Sequence, residues 1–233
     1  MTLLPPHVTI AHVTLPPLGY AYDALDPAYA TELLELHYAG HHRAYVDGAN
    51  HAFEALAEAR ARSDFRHINQ LEKDLAFNLS GHVLHSIFWR NIAPKNGSRP
   101  SARLESCVRE AFGDFDALRQ QFGAAGTALQ GSGWVVLSWE PTLGTLLIEQ
   151  IHEHQGNCCV GSVPLLVMDM WEHAYYLQYS NRKQLWTVSF WDLINWGDVA
   201  RRLERAMCAD LALDPTPGKE IHGVVTPFRR DRL

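Results

Sequence analysis

The chain lacks most features that would take it out of solution or out of a reducing compartment. No apolar run approaches the ~18 residues that a membrane helix needs. The opening stretch MTLLPPHVTIAHV has no basic segment followed by a long apolar one, so secretion by a conventional signal is not expected. Excess positive charge is missing too. A net charge of −6 argues against nonspecific nucleic-acid binding, which depends on neutralising phosphates, and the basic tail RRDRL is too short to reverse that. Cysteine is sparse: Cys107, Cys158, Cys159 and Cys208 form no CxxC pair and no disulfide-rich framework, and the adjacent Cys158 and Cys159 are poorly placed to pair with each other. A cytoplasmic location fits that usage. Internal repeats and low-complexity segments are absent.

The 233 residues, 47% hydrophobic and 20% charged, suffice to bury a large core as one big domain or two small ones. Two residue types exceed what such a core needs: 13 histidines and 7 tryptophans.

Asp26-Pro27 reads as a helix start, with an acid at the N-cap and Pro at the first helical position. From Pro27 to about Arg62 the chain is rich in Ala, Leu and Glu, which predicts one long helix that Gly40 and Gly48 could bend. A second helix is predicted from His67 to about Asn91, with Leu71, Leu75, His82, His85 and Trp89 near one face. The segment APKNGSRP then breaks the pattern and separates two lobes. Amphipathic helices are expected at about 101–112 and 114–130, followed by β-prone runs at Trp134–Trp139 and Thr145–Ile151 joined by EPTLG as a hairpin. Val163–Met168 reads as a buried strand, and helical composition returns over Trp171–Tyr179 and Val188–Arg205. From about Asp210 onward little apolar periodicity remains, and a loosely ordered tail is expected.

Three segments carry chemistry. In His37-Tyr38-Ala39-Gly40-His41-His42-Arg43-Ala44-Tyr45 a spacing of four puts His37, His41 and Tyr45 on one stripe, and Leu33 and Leu34 one turn earlier turn that stripe toward the core. The histidines of that stripe are metal ligands or part of a solvated polar face, and a lone histidine on the second helix is a ligand or a hydrogen-bonded core residue, because buried imidazoles need partners. In FNLSGHVLHSIFW, His82 and His85 sit beside Phe88 and Trp89, where a metal bond is one way to satisfy a ring in dry surroundings. In DMWEH, Asp169 ends an apolar run and His173 follows four residues later; Asp169 is a ligand or simply a helix cap. Together these offer three imidazoles and one carboxylate without a thiolate, a set suited to a first-row metal, zinc included.

LPPLGYAYDALDP, ELHYAGHHRAYV, FNLSGHVLHSIFW, GSGWVVLSWE and DMWEHAYYLQYSNR resemble, in order and spacing, the signature segments of the iron/manganese superoxide dismutases, over roughly Leu15 to Arg205. The resemblance implies an α+β fold: an N-terminal long helical hairpin, here 1–97, and a C-terminal domain, here 98–208, with a three-stranded antiparallel sheet surrounded by helices. Residues 209–233 would be an extension. It implies His37, His85, Asp169 and His173 as ligands of one iron or manganese ion per subunit, with a water or hydroxide as fifth ligand. His41 and Tyr45 match a pair beside the substrate channel, and Trp134 and Trp171 match walls of the pocket. Glu172 matches a residue that reaches the partner's His173, and Tyr176 one that contacts the partner's His41, implying a homodimer or tetramer.

Two departures stand out. Leu84 precedes the second ligand where many members have Asn, and Gly81 occupies the position from which iron members often supply a Gln to the metal-bound solvent. On the sheet side, where manganese members usually supply that Gln, this chain has His154, or Gln155 if the register slips by one; a surface histidine on a sheet edge is the alternative. A histidine there resembles a subset that includes iron-dependent and metal-tolerant enzymes, which inclines the choice to iron. The implied activity converts superoxide to O₂ and hydrogen peroxide by alternating reduction and oxidation of the metal with coupled proton uptake. Two other readings are a zinc hydrolase using His37, His85 and Asp169, which lacks an HExxH motif, and a metal-buffering protein without redox function.

Overall fold

The computed structural model describes residues 10–94, 98–209 and 211. Almost all of the 209–233 extension, with its expected loose order, and residues 95–97 of the APKNGSRP break lie outside the described residues.

Residues 22–28 form turns, and the first helix, α1, spans Thr31–Glu35, continuing without interruption through a π-helical segment, Leu36–His42, into α2, Arg43–Arg62. The helix therefore starts four residues later than the Asp26-Pro27 pair suggests. Asp26 still serves the start from a distance, since its carboxylate accepts from Thr31 N (3.2 Å) and Thr31 Oγ1 (2.9 Å). α3, Ile68–Asn91, runs back along α2 to complete the hairpin. Two glycines permit this close approach. A Cβ on Gly48 would strike the Asn78 side chain, and one on Gly81 would lie 2.8 Å from Tyr45 Cδ1.

In the second half, α4 (Ala102–Phe112) is capped by Ser101 and α5 (Phe115–Ala128) by Asp114, whose side chains accept from Leu104 N and Ala117 N. The sheet follows: β1 (Gly133–Glu140), β2 (Thr145–His152) and β3 (Val163–Asp169), all antiparallel, in the order β2-β1-β3, with a bulge between Leu137 and Ser138. β1 is central and buried almost throughout, so it reads as a near-continuous apolar run. The expected helix over Trp171–Tyr179 is instead a 3₁₀ turn, Glu172–Ala174, and one helical turn, α6, Tyr176–Tyr179. The expected helix over Val188–Arg205 is two, α7 (Lys183–Leu193) and α8 (Trp196–Ala206). They part at Ile194, which bridges to Ile92, and at Asn195, whose side chain caps α8 by accepting from Asp198 N.

One apolar core spans both halves and includes Leu33, Leu34, Phe88, Trp89, Trp134, Leu166, Trp186 and Phe190. Asn91, fully buried at the end of α3, ties the hairpin to the sheet. It accepts from Val167 N (2.9 Å) and donates to Leu165 O (3.1 Å) and Asp198 Oδ2 (3.0 Å). No helix among the described residues is long and apolar enough to cross a membrane.

Candidate metal centre

Four side chains meet where the hairpin joins the second half. His37 comes from the π-helical segment, His85 from α3, Asp169 from the last position of β3 and His173 from the 3₁₀ turn. One donor atom from each lies within 4.8 Å of the others. The first three are fully buried and the His173 side chain is 10% exposed. Asp169 ends a strand and does not begin a helix. Its Oδ1 accepts from Trp171 N (2.8 Å) and its backbone carbonyl accepts from Trp186 Nε1 (2.8 Å), which fixes the carboxylate plane. Oδ2 is left facing the imidazoles, 3.1 Å from His37 Nε2, 3.3 Å from His173 Nε2 and 3.5 Å from His85 Nε2.

Hydrogen-bond partners determine where the ring protons sit. His85 Nδ1 is 2.7 Å from the Gly81 carbonyl oxygen, which can only accept, so Nδ1 carries the proton and Nε2 is a bare lone pair. That lone pair and His37 Nε2 are buried with no hydrogen-bond partner; the short approach of His37 Nε2 to Asp169 lacks hydrogen-bonding geometry. An unsatisfied buried polar atom costs about 1–3 kcal/mol, so a cluster of them facing one point calls for a cation. Burial pushes the His37 imidazole down to about 4 and holds that of His85 well below its ordinary range, so both rings are neutral at pH 7. Burial alone would raise the Asp169 carboxyl, but His173, within hydrogen-bond distance of Oδ2, outweighs it and keeps the group ionised. Three imidazole nitrogens and one carboxylate oxygen fit a borderline first-row ion.

The surroundings sort the remaining candidates. His154 lies just beyond β2 and is only 2% exposed, which excludes a surface histidine. Trp134 Nε1, a donor only, reaches His154 Nδ1 at 3.0 Å, so the His154 proton is on Nε2, buried and unpartnered. Its ring stacks on Trp171 (centroids 4.5 Å), meets Tyr45 edge-on (4.4 Å) and lies 5.8 Å from His85. Gln155 turns away, accepting from His154 N (3.2 Å) and donating to Glu153 (3.3 Å). Of the stripe on the first helix, His37 and Tyr45 are buried, whereas His41 is exposed in the single chain and stacks on His173 at 4.1 Å. Trp134 packs edge-on to His85 at 4.9 Å, and Trp171 stacks on His173 at 5.4 Å. Glu172 and Tyr176 face solvent.

The absence of a side chain at Gly81 has a steric reason, since the Tyr45 ring fills the space a Cβ would take. Leu84, at the other departure, is buried. Two residues escaped the sequence reading. His42, one position off the stripe, is fully buried; Trp89 Nε1 donates to its Nδ1 (3.0 Å) and its Nε2 meets His82 Nδ1 (3.0 Å). Tyr29, in the turn before α1, places its hydroxyl 2.6 Å from His37 Nδ1. Its only signal in the sequence is an aromatic residue just ahead of the helix.

Comparison with known proteins bears on this arrangement. Residues 12–93 match the family model described as the α-hairpin domain of iron/manganese superoxide dismutases, and residues 100–202 match their C-terminal domain. A protein named superoxide dismutase [Mn/Fe] from Propionibacterium freudenreichii subsp. shermanii is 52% identical over 198 residues, covering 84% of this chain and 98% of the relative. One named superoxide dismutase [Fe] from Mycobacterium tuberculosis is 48% identical over 197 residues, covering 84% and 95%. A third, superoxide dismutase [Mn] from Mycolicibacterium smegmatis, is 46% identical over 197 residues, with the same 84% and 95% coverage.

Proposed function

Because the chain belongs to the iron/manganese superoxide dismutase family, we propose that His37, His85, Asp169 and His173 hold one iron or manganese ion per subunit. The chain is a superoxide dismutase, an oxidoreductase that converts superoxide to O₂ and hydrogen peroxide. The ligand assignment is carried by the bare, buried Nε2 of His85, a lone pair with no donor to meet it. The test is elemental analysis of natively produced protein, with activity measured after reconstitution with each metal. Iron or manganese near one ion per subunit, lost on His85→Ala, is the expected result; zinc occupancy without superoxide consumption would overturn it.

When bound, the ion would supply two adjacent oxidation states for the alternating oxidation and reduction of superoxide. The rest falls to side chains. His37 and His85 stay neutral and Asp169 brings a single negative charge, which limits the net charge held in a low-dielectric pocket. Burial raises the Tyr45 phenol above its ordinary range, so it keeps its proton at neutral pH and can order water beside the site. His41, open to solvent against His173, stands at the approach and relays protons. His154 holds a proton on Nε2 next to Tyr45 and tunes the redox potential by donating it in a hydrogen bond. His154→Ala should shift the midpoint potential and slow turnover with metal retained; an unchanged potential removes His154 from this role. A histidine in this position inclines the choice of metal to iron.

The finer organisation follows the same reading. The division into domains falls between residues 97 and 98. A homodimer or tetramer forms through the exposed face of Glu172 and Tyr176, where Glu172 meets the partner's His173 and Tyr176 the partner's His41. Sedimentation should give at least a dimer that Glu172→Ala shifts toward monomer. Four free cysteines, three of them exposed, suit the cytoplasm.

A further inference from the structure

We propose that Tyr29 is a positioning residue for the metal centre: its hydroxyl accepts the Nδ1 proton of His37, fixing that ring in the tautomer that leaves Nε2 free and raising its donor strength. The inference rests on the reading of His37 as a ligand.

Tyr29 Oη is 2.6 Å from His37 Nδ1, and both residues are fully buried. No water competes in such a place, and the imidazole has just two protonation choices when neutral. With the proton on Nε2, the ring would point an N–H at the cluster and could not ligate; with it on Nδ1, the phenol oxygen is the acceptor at hand. His85 reaches the same tautomer through the backbone carbonyl of Gly81. His37 is bonded instead by a side chain from outside its own helix, so its acceptor can be changed by substitution.

The second half of the chain holds Tyr29 in place. Gln178 donates to Pro27 O (2.8 Å) and accepts from Ala30 N (2.8 Å), and Tyr179 donates to Ala28 O, so α6 clasps the backbone on both sides of Tyr29. The ring packs on Trp186 (5.3 Å) and Phe88 (6.2 Å), and Trp186 in turn bonds the Asp169 carbonyl. One aromatic pair therefore braces two candidate ligands from opposite sides of the molecule. Burial raises the Tyr29 phenol far above its ordinary range, so the group acts as a neutral hydroxyl.

The experiment compares wild type, Tyr29→Phe and His37→Ala as iron-loaded protein. Measured are the midpoint potential, the rate of iron release to a chelator, and the exchangeable ring N–H resonances of the iron(II) form. Tyr29→Phe keeps the ring and removes only the acceptor. It should shift the potential positive, speed iron release about tenfold, and displace one ring N–H resonance, which then exchanges faster with solvent. A lower thermal midpoint with potential and resonance unmoved means Tyr29 only packs, and the proposal fails. Should Tyr29→Phe not fold, site-specific 3-fluorotyrosine at position 29, a weaker acceptor, must give a smaller positive shift; none refutes the proposal. Wild-type iron content retained by His37→Ala would bring down the ligand reading itself, a result distinct from a silent Tyr29→Phe.

Discussion

His42 owes its neutrality to where it is packed. The Trp89 indole can only donate, so His42 Nδ1 is the acceptor and the ring proton sits on Nε2, facing His82 Nδ1. Burial, with His82 and His37 adding to it, lowers the His42 imidazole from 6.5 to about 3. Between those values the unfolded chain binds the proton and the folded one refuses it. Stability from this residue is therefore complete above pH 6.5 and drains as the pH falls toward 3, by up to about 5 kcal/mol. His42→Gln, which cannot titrate, should flatten the fall of the urea midpoint between pH 7.5 and pH 4 relative to wild type. Legibility at this scale was uneven. The four candidate ligands were named through the family resemblance of their segments, whose spacing alone left each open. His42 was not, since a spacing of four drawn through His37 and Tyr45 leaves it off the stripe. Gly81 was visible as a missing donor, but the Tyr45 ring above it was not.

Polar contacts join the elements at several points, and Asn91 makes three of them. Asn91→Ala would strand the Val167 N–H in the core, at a cost of about 2 kcal/mol, while Asp198 Oδ2 would keep Arg202 Nε. Thermal denaturation should register that loss, and iron or manganese content should fall with it because β3 carries Asp169. The hairpin helices and the sheet were legible from periodicity, Gly and Pro breaks and β-branched runs. Three boundaries were not. Asp26-Pro27 has the local signature of a helix start, yet tertiary bonds from Gln178 and Tyr179 hold 27–30 in a turn. The Trp171–Tyr179 stretch has helical composition, but its first turn is tied to the strand end by Trp171 N on Asp169. Asn195 splits the last helix because it is a cap, a role that composition alone does not reveal.

Across the whole molecule, two candidate ligands come from each half, so one ion closes the contact between them. A ligand bound only by the folded state stabilises it in proportion to the logarithm of its saturation, about 4 kcal/mol at a thousandfold excess over Kd. Stripping the metal should lower the thermal midpoint by several degrees, and adding iron or manganese back should restore it. Calorimetry should record a single transition with metal bound. Replacing His173 by Ala should reduce the shift, because one of the two contributions from the second half is gone.

The π-helical segment at 36–42 has a wider consequence. It carries one residue more than an α-helix of equal length would need, and that surplus acts as a vernier between α1 and α2. Deleting Gly40, whose Cβ position meets nothing within 4 Å, should let ordinary helix run straight through. Because the residue removed is the surplus one, His37 and Tyr45 should keep their relative bearing, whereas deleting a second residue, worth about 100° of turn, would swing His37 round the barrel of the helix. Circular dichroism would then report an intact helix and metal analysis an empty protein, separating the ability to fold from the ability to aim.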